Sequence, residues 1–129
     1  NEYIGSLLTR AGYLVLIPER RGFGGSEGPT LSEDLGNDLG QRFVARVDAE
    51  TDDVFAAVDY LRTLPFADIR RIGIMGYSLG GIVTMFAVSR STAFAVAINQ
   101  AGGAGAWNIS AELRTALMAA AEKAETPAS

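Results

Sequence analysis

The sequence predicts an α/β fold with three layers, in which helices cover both faces of a mostly parallel sheet. Two observations support this prediction. Helical and strand-like patterns alternate along the 129 residues, and the strand-like runs are short and continuously apolar. Such runs are typical of strands buried on both faces of a parallel sheet. Their alternation with helices implies right-handed crossovers between neighbouring strands.

The first part of the chain predicts one helix, one strand and one loop. Residues 2–11 repeat apolar side chains at helical spacing, and Gly12 follows where a helix commonly stops. Residues 13–18 form a continuous apolar run that ends in proline, which predicts a strand buried on both faces. Residues 20–29 contain four glycines and a proline, so we expect a loop there.

The middle of the chain predicts a long crossover helix after an ambiguous segment. A four-residue apolar repeat over residues 30–46 favours a helix, whereas Gly36 and Gly40 weaken it. Asp48 or Thr51 is a suitable N-cap for the next helix. The apolar stripe of that helix consists of Val54, Phe55, Val58, Leu61 and Leu64.

The last part of the chain repeats the alternation. Residues 71–75 and 94–98 predict two further buried strands, and residues 79–89 between them have helical apolar spacing. After a glycine-rich loop, Ser110 is a good cap for an alanine-rich helix over residues 111–122.

The predicted sheet is small for its class, since three strands are few where about five or six are typical. No internal repeat or linker divides residues 1–129. We therefore expect one partial domain, truncated at both ends, with the next strand beginning near residues 126–129.

Composition narrows the classes of function. The chain is 48% hydrophobic and 20% charged, as expected for one globular unit with an apolar core. No apolar run approaches the roughly 20 residues of a membrane span. Eleven basic residues are scattered among 15 acidic ones, which argues against a nucleic-acid partner. The sequence leaves the compartment open and slightly favours the cytoplasm over secretion.

Two residue types that often carry chemistry are missing. The chain has no cysteine, which excludes thiolate catalysis, disulfides and Cys-ligated metals. It also has no histidine, the commonest general base and metal ligand. We expect neither a cofactor nor a metal.

A five-residue motif has the strongest chemical meaning. Gly76-Tyr77-Ser78-Leu79-Gly80 matches G-x-S-x-G between a predicted strand and a predicted helix. A serine in such a sharp turn is strained and exposed, and small residues two before and two after it avoid a clash. We expect Ser78 to be a nucleophile and the backbone N–H of Leu79 to donate to the developing oxyanion. Alternatively, the glycines only permit a turn and Ser78 caps the helix.

Two segments together resemble the α/β-hydrolase superfamily, in its branch of dienelactone hydrolases and prolyl-oligopeptidase-like esterases. They are Gly76-Tyr-Ser-Leu-Gly-Gly81 and Pro18-Glu-Arg-Arg-Gly-Phe-Gly-Gly-Ser26. In that branch the second segment reads P-D-x-R-G-x-G-x-S, so Glu19 departs from the usual Asp. We interpret this loop as mainly structural. The resemblance covers about residues 2–105.

The resemblance implies a partial α/β-hydrolase fold and a catalytic triad that this chain carries only in part. Ser78 would be the nucleophile, and an Asp or Glu and then a His would follow it in chain order. Both would lie beyond Ser129, and the second oxyanion donor would precede the first helix. The implied substrate is a small carboxylic ester or another acyl compound, cleaved through an acyl-enzyme.

Two other functions stay open. The absence of histidine fits a non-catalytic, hydrolase-like module that binds a protein or a small ligand. A half sheet also has unpaired edges, which favours completion of the sheet by another chain or a homo-oligomer.

Overall fold

A computed structural model describes residues 2–125 of the chain. The predicted continuation near residues 126–129 lies outside the described residues. In chain order the elements are α1 (Glu2–Arg10), α2 (Leu31–Leu35), α3 (Gln41–Thr63), β1 (Ile72–Tyr77), α4 (Leu79–Arg90), β2 (Phe94–Gln100) and α5 (Ala111–Glu125).

The two strands lie side by side and run parallel. Their register pairs Ile72 with Phe94 at one end and Tyr77 with Gln100 at the other. Helix α4 makes the crossover between them, as expected for short apolar strands joined by a helix. The α/β class and the parallel sheet are therefore confirmed, and both strands extend two residues beyond their predicted carboxyl ends.

Helix α4 is the centre of the core. It packs against both strands, and α3 and α5 pack against it in turn. Residues around most of its circumference are buried, as expected for a helix enclosed by other elements. The buried core cluster consists of Leu35, Phe43, Val47, Ile82, Val83, Phe86, Ala106, Leu113, Leu117 and Ala120.

The sheet has one covered face and one exposed face in the part of the chain that the structure describes. Residues of β1 alternate between half-buried and exposed, with Met75 and Tyr77 on the exposed face. Val96 and Ile98 of β2 are also exposed. Within residues 2–125 helices cover only the first face, as expected for a partial α/β fold.

The strand predicted over residues 13–18 is not formed. A strand needs a hydrogen-bonded neighbour, and this segment pairs with neither β1 nor β2. Tyr13, Leu14 and Ile17 remain about half or more exposed. The apolar run still packs on α1, since a Cβ atom on Gly5 would lie 3.1 Å from Ile17 Cδ1.

The long helix in the middle of the chain begins earlier than predicted. Helix α3 starts at Gln41, so Asp48 and Thr51 lie inside it and neither is its N-cap. Thr51 is fully buried and its hydroxyl donates to the Val47 carbonyl, one turn back. The apolar stripe is continuous through Phe43 and Val47, and this tertiary burial extends the helix.

The ambiguous segment before α3 is divided by its two glycines. Thr30 caps the short helix α2 through a capping box with Glu33. Gly36 ends α2 with a positive φ of 53°, and Gly40 precedes α3. Both glycines therefore stand at helix ends, where they do not weaken a helix interior.

Candidate active site

The predicted nucleophile lies at the junction of β1 and α4. Strand β1 ends at Tyr77 and α4 begins at Leu79, so Ser78 alone makes the reversal. Its backbone has φ 54° and ψ −117°, a region that residues with a side chain rarely adopt. The strained turn that the motif predicts is therefore present.

Backbone hydrogen bonds hold Ser78 from both sides. Its N–H donates to the Gln100 carbonyl of β2 at 2.9 Å. Its carbonyl accepts from the N–H groups of Gly81 at 2.9 Å and Ile82 at 3.2 Å, in the first turn of α4. The strained residue is thus tied to a neighbouring strand and to the helix that it begins.

The side chain of Ser78 is not a helix cap. It makes no capping hydrogen bond to α4, and the residue is exposed. The hydroxyl oxygen of a serine that served only to cap the helix would accept a hydrogen bond from a backbone N–H of the first turn. The geometry therefore favours the nucleophile over the cap.

Two of the three glycines around Ser78 are required by close backbone approach. A Cβ atom on Gly76 would lie 2.0 Å from the Gly80 carbonyl oxygen, and one on Gly81 would lie 2.8 Å from Gly102 Cα. At Gly80 no other atom lies within 4 Å of such a Cβ. The expectation that position 80 needs a small side chain is wrong, because the turn uses only the backbone there.

Leu79 stands where the predicted oxyanion donor should be. It is the first residue of α4, and N–H groups in the first turn of a helix have no acceptor within that helix. The helix dipole adds positive potential at the same end. The role of the Leu79 N–H stays a prediction.

The glycine-rich loop that resembles the hydrolase segment is held by contacts within itself. The Glu19 carboxylate accepts from the Gly25 N–H at 2.6 Å, and Ser26 Oγ donates to the Glu19 carbonyl at 2.8 Å. Gly22 has a positive φ of 75°, and a Cβ there would overlap Pro29. These contacts agree with a mainly structural loop in which Glu19 organises the turn.

A buried arginine that the sequence analysis missed ties this loop to α2 and α3. Arg46 is 1% exposed and donates to Glu50 at 2.8 Å and to Asp34 at 3.0 Å. It also donates to the carbonyls of Pro29 and Arg21. Burial disfavours its charge, but the hydrogen bonds to the two carboxylates outweigh this and raise the pKa of Arg46.

Two further arginines attach the loop to α3. Arg20 binds Glu50 through two hydrogen bonds of 2.8 and 2.6 Å, and Arg21 binds Asp53 through two of 2.7 Å. The hydrogen bond to Asp53 is the main reason that the pKa of Arg21 is raised. The sequence signal for this network is the four-residue spacing of Arg46 and Glu50. Charged pairs with that spacing commonly lie on an exposed helix surface, so the spacing did not indicate a buried network.

Other kinds of site find little support among residues 2–125. These residues contain no group of three or more side chains that could hold a metal ion. None of their helices is both long and apolar enough to cross a membrane. Two shallow clefts lie along α1, and Ser78 lines neither.

Comparison with protein-family models identifies the family. The model of the prolyl oligopeptidase family matches residues 3–123, nearly the whole chain. The chain belongs to the prolyl oligopeptidase family.

This is an α/β-hydrolase family, so the predicted fold class and the resemblance are confirmed. Family membership also indicates serine hydrolase activity, without distinguishing esters from peptides. Comparisons with curated proteins and with solved structures found no match.

Proposed function

We propose that the full-length protein is a serine hydrolase that cleaves carboxylic esters through an acyl-enzyme on Ser78. The main supporting observation is the strained backbone of Ser78, which hydrogen bonds hold to β2 and α4. The residue is exposed, and its side chain does not cap α4. Strain of this kind persists only when the surrounding structure enforces it, and it is common at catalytic residues.

The chemistry is a two-step acyl transfer. Ser78 Oγ attacks the substrate carbonyl carbon while its proton passes to a general base, and the alcohol leaves with a proton. Water then hydrolyses the acyl-enzyme and regenerates the Ser78 hydroxyl. In both steps the Leu79 N–H donates to the oxyanion. Since the chain has no histidine, we assign the base and its acidic partner to residues outside positions 1–129.

Peptide hydrolysis is the second candidate, because the family model is that of the prolyl oligopeptidases. Both reactions use the same nucleophile and oxyanion donors. They differ at the leaving group, since an amine must be protonated before it departs. A matched pair of acyl substrates with the same acyl group, one an ester and one an anilide, separates the two.

The test compares Ser78→Ala with Ser32→Ala in the full-length protein. Ser32 is an exposed serine of α2 and serves as the control. We expect Ser78→Ala to lower kcat by roughly 10³-fold or more on the preferred substrate. Ser32→Ala should be unchanged, and a fluorophosphonate should label the wild type at Ser78. Full activity in Ser78→Ala would contradict the proposal. No turnover and no labelling in the wild type would instead support the non-catalytic module.

A further inference from the structure

The turn that follows β2 packs directly on the first turn of α4. A Cβ atom on Gly102 would lie 2.5 Å from the Gly81 carbonyl carbon and 2.8 Å from the Ile82 N. Gly81 and Ile82 are the residues whose N–H groups hold the Ser78 carbonyl. The turn after β2 therefore touches the same backbone that fixes the nucleophile.

The side chain of Asn99 lies between these two backbones. Asn99 pairs in register with Gly76, two residues before the nucleophile. Its Oδ1 accepts from the Gly102 N–H at 2.8 Å. The same oxygen occupies the space that a Cβ atom on Gly81 or on Gly102 would need.

The hydrogen bond from Gly102 to Asn99 closes a strained turn around the acceptor of the Ser78 N–H. That acceptor is the carbonyl of Gln100, and the next residue, Ala101, has a positive φ of 55°. This region is unfavourable for alanine, so the turn needs contacts that hold it. Asn99 supplies one such contact, since its hydrogen bond with Gly102 spans Gln100 and Ala101.

We propose that Asn99 is a positioning residue for Ser78. Its carboxamide oxygen holds the 100–102 turn, and thereby the Gln100 carbonyl, at the place where Ser78 needs an acceptor for its N–H. Without that acceptor bond the strained backbone of Ser78 relaxes, and the hydroxyl and the Leu79 N–H lose their mutual alignment. This inference rests on the proposed role of Ser78 as nucleophile.

The experiment uses Asn99→Ala, Asn99→Asp and the control Asn37→Ala in the full-length protein. Asn37 lies exposed in the turn between α2 and α3. We expect Asn99→Ala to lower kcat roughly tenfold to hundredfold with little change in KM, because a displaced nucleophile slows the chemical step. The second-order rate constant for fluorophosphonate labelling should fall by the same factor. Asn99→Asp keeps an acceptor oxygen of the same reach and should recover most of the rate.

The labelling rate constant separates positioning from a purely structural role. A structural role would lower the unfolding temperature and the fraction of labelled protein, but the folded molecules would react at the wild-type rate. That result, or an Asn99→Asp variant as slow as Asn99→Ala, would overturn the inference. If Asn99→Ala does not fold, Asn99→Ser replaces it in the comparison with the wild type and Asn99→Asp. The serine hydroxyl ends one bond short of the carboxamide oxygen, so this variant also loses the acceptor for the Gly102 N–H.

Failure of this inference and failure of the proposed function give different results. If Ser78 is not the nucleophile, Ser78→Ala has the same activity as the wild type, and no labelling occurs at that residue. If only the role of Asn99 is wrong, Ser78→Ala is inactive, while Asn99→Ala labels and turns over like the wild type.

Discussion

The strained backbone conformation of Ser78 costs free energy, and contacts with neighbouring residues offset this cost. A single residue with a side chain in a sparsely populated region costs about 1–3 kcal/mol. At Ser78 the offset comes from one hydrogen bond to β2 and two to α4. The absence of a Cβ atom at Gly76 is equally important, since the strand and the helix meet there without space for one.

Gly76 and Gly80 offer a matched test of this arrangement. Gly76→Ala places a Cβ atom 2.0 Å from the Gly80 carbonyl oxygen, so β1 or α4 must shift. We expect the free energy of unfolding to fall by about 1–3 kcal/mol, as in other overpacked sites. Fluorophosphonate labelling of Ser78 should slow as well. Urea unfolding and labelling kinetics of the full-length protein measure the two effects.

Gly80→Ala is the control, because a Cβ atom there meets no other atom within 4 Å. Its stability should match the wild type within about 1 kcal/mol, with alanine favoured by helix propensity. Equal losses in the two variants would show that the close approach at Gly76 does not control the turn.

Among the elements, α3 is the one that holds the loop beside it. Arg46 lies on the buried side of α3 and binds groups from the loop, from α2 and from α3 itself. Glu50 is 4% exposed and accepts hydrogen bonds from both Arg46 and Arg20. A buried carboxylate of this kind requires its cationic partners, because charge is costly to bury unpaired.

Arg46→Met should therefore be strongly destabilising. Methionine matches much of the volume of arginine, but it removes one of the two cationic partners of Glu50 and leaves the carbonyls of Pro29 and Arg21 without this donor. We expect a loss of about 3 kcal/mol in the free energy of unfolding, the lower end of the range for one partner removed from a buried pair, because Arg20 still pairs with Glu50. Hydrogen exchange of residues 19–30 should also become faster, because these residues lose part of their attachment to α3.

Arg42→Met serves as the comparison for this prediction. Arg42 lies on α3 one turn before Arg46 and is exposed, so its replacement should change stability by no more than about 0.5 kcal/mol. Urea unfolding of both variants measures the two changes in the free energy of unfolding. A similar, small effect in the two would mean that the buried network contributes no net stability.

At the scale of the whole molecule, local sequence patterns predicted individual elements better than they predicted which segments pair as strands. The turn at Ser78 follows from a short motif between two predicted elements, β1 and β2 follow from short apolar runs, α4 from its apolar spacing, and α5 from a cap and its alanine-rich composition. Residues 13–18 have an equally clear strand pattern but form no strand, since a strand depends on a neighbour elsewhere in the chain. The contact of Asn99 with Gly102 is local, but its approach to Gly81 at the start of α4 depends on the register of β1 and β2. No local pattern encodes that register.

The absence of histidine makes a prediction for the 129-residue chain by itself. Without an adjacent base the Ser78 hydroxyl is a poor nucleophile. Self-association through the exposed sheet face, at Met75, Val96 and Ile98, would not change this, because further copies of the chain bring no histidine either. We therefore expect negligible hydrolysis of an activated ester in any oligomeric state, and no difference between this chain and its Ser78→Ala variant.

Steady-state assays of both forms, with solution mass and circular dichroism to establish oligomeric state and folding, test this expectation. The full-length protein assayed in parallel is the positive control, and it should be active only with Ser78 intact. Fast turnover by the folded 129-residue chain, lost in Ser78→Ala, would mean that a group other than histidine activates the serine. The base would then have to be sought among the carboxylates, the tyrosines and Lys123 within residues 1–129.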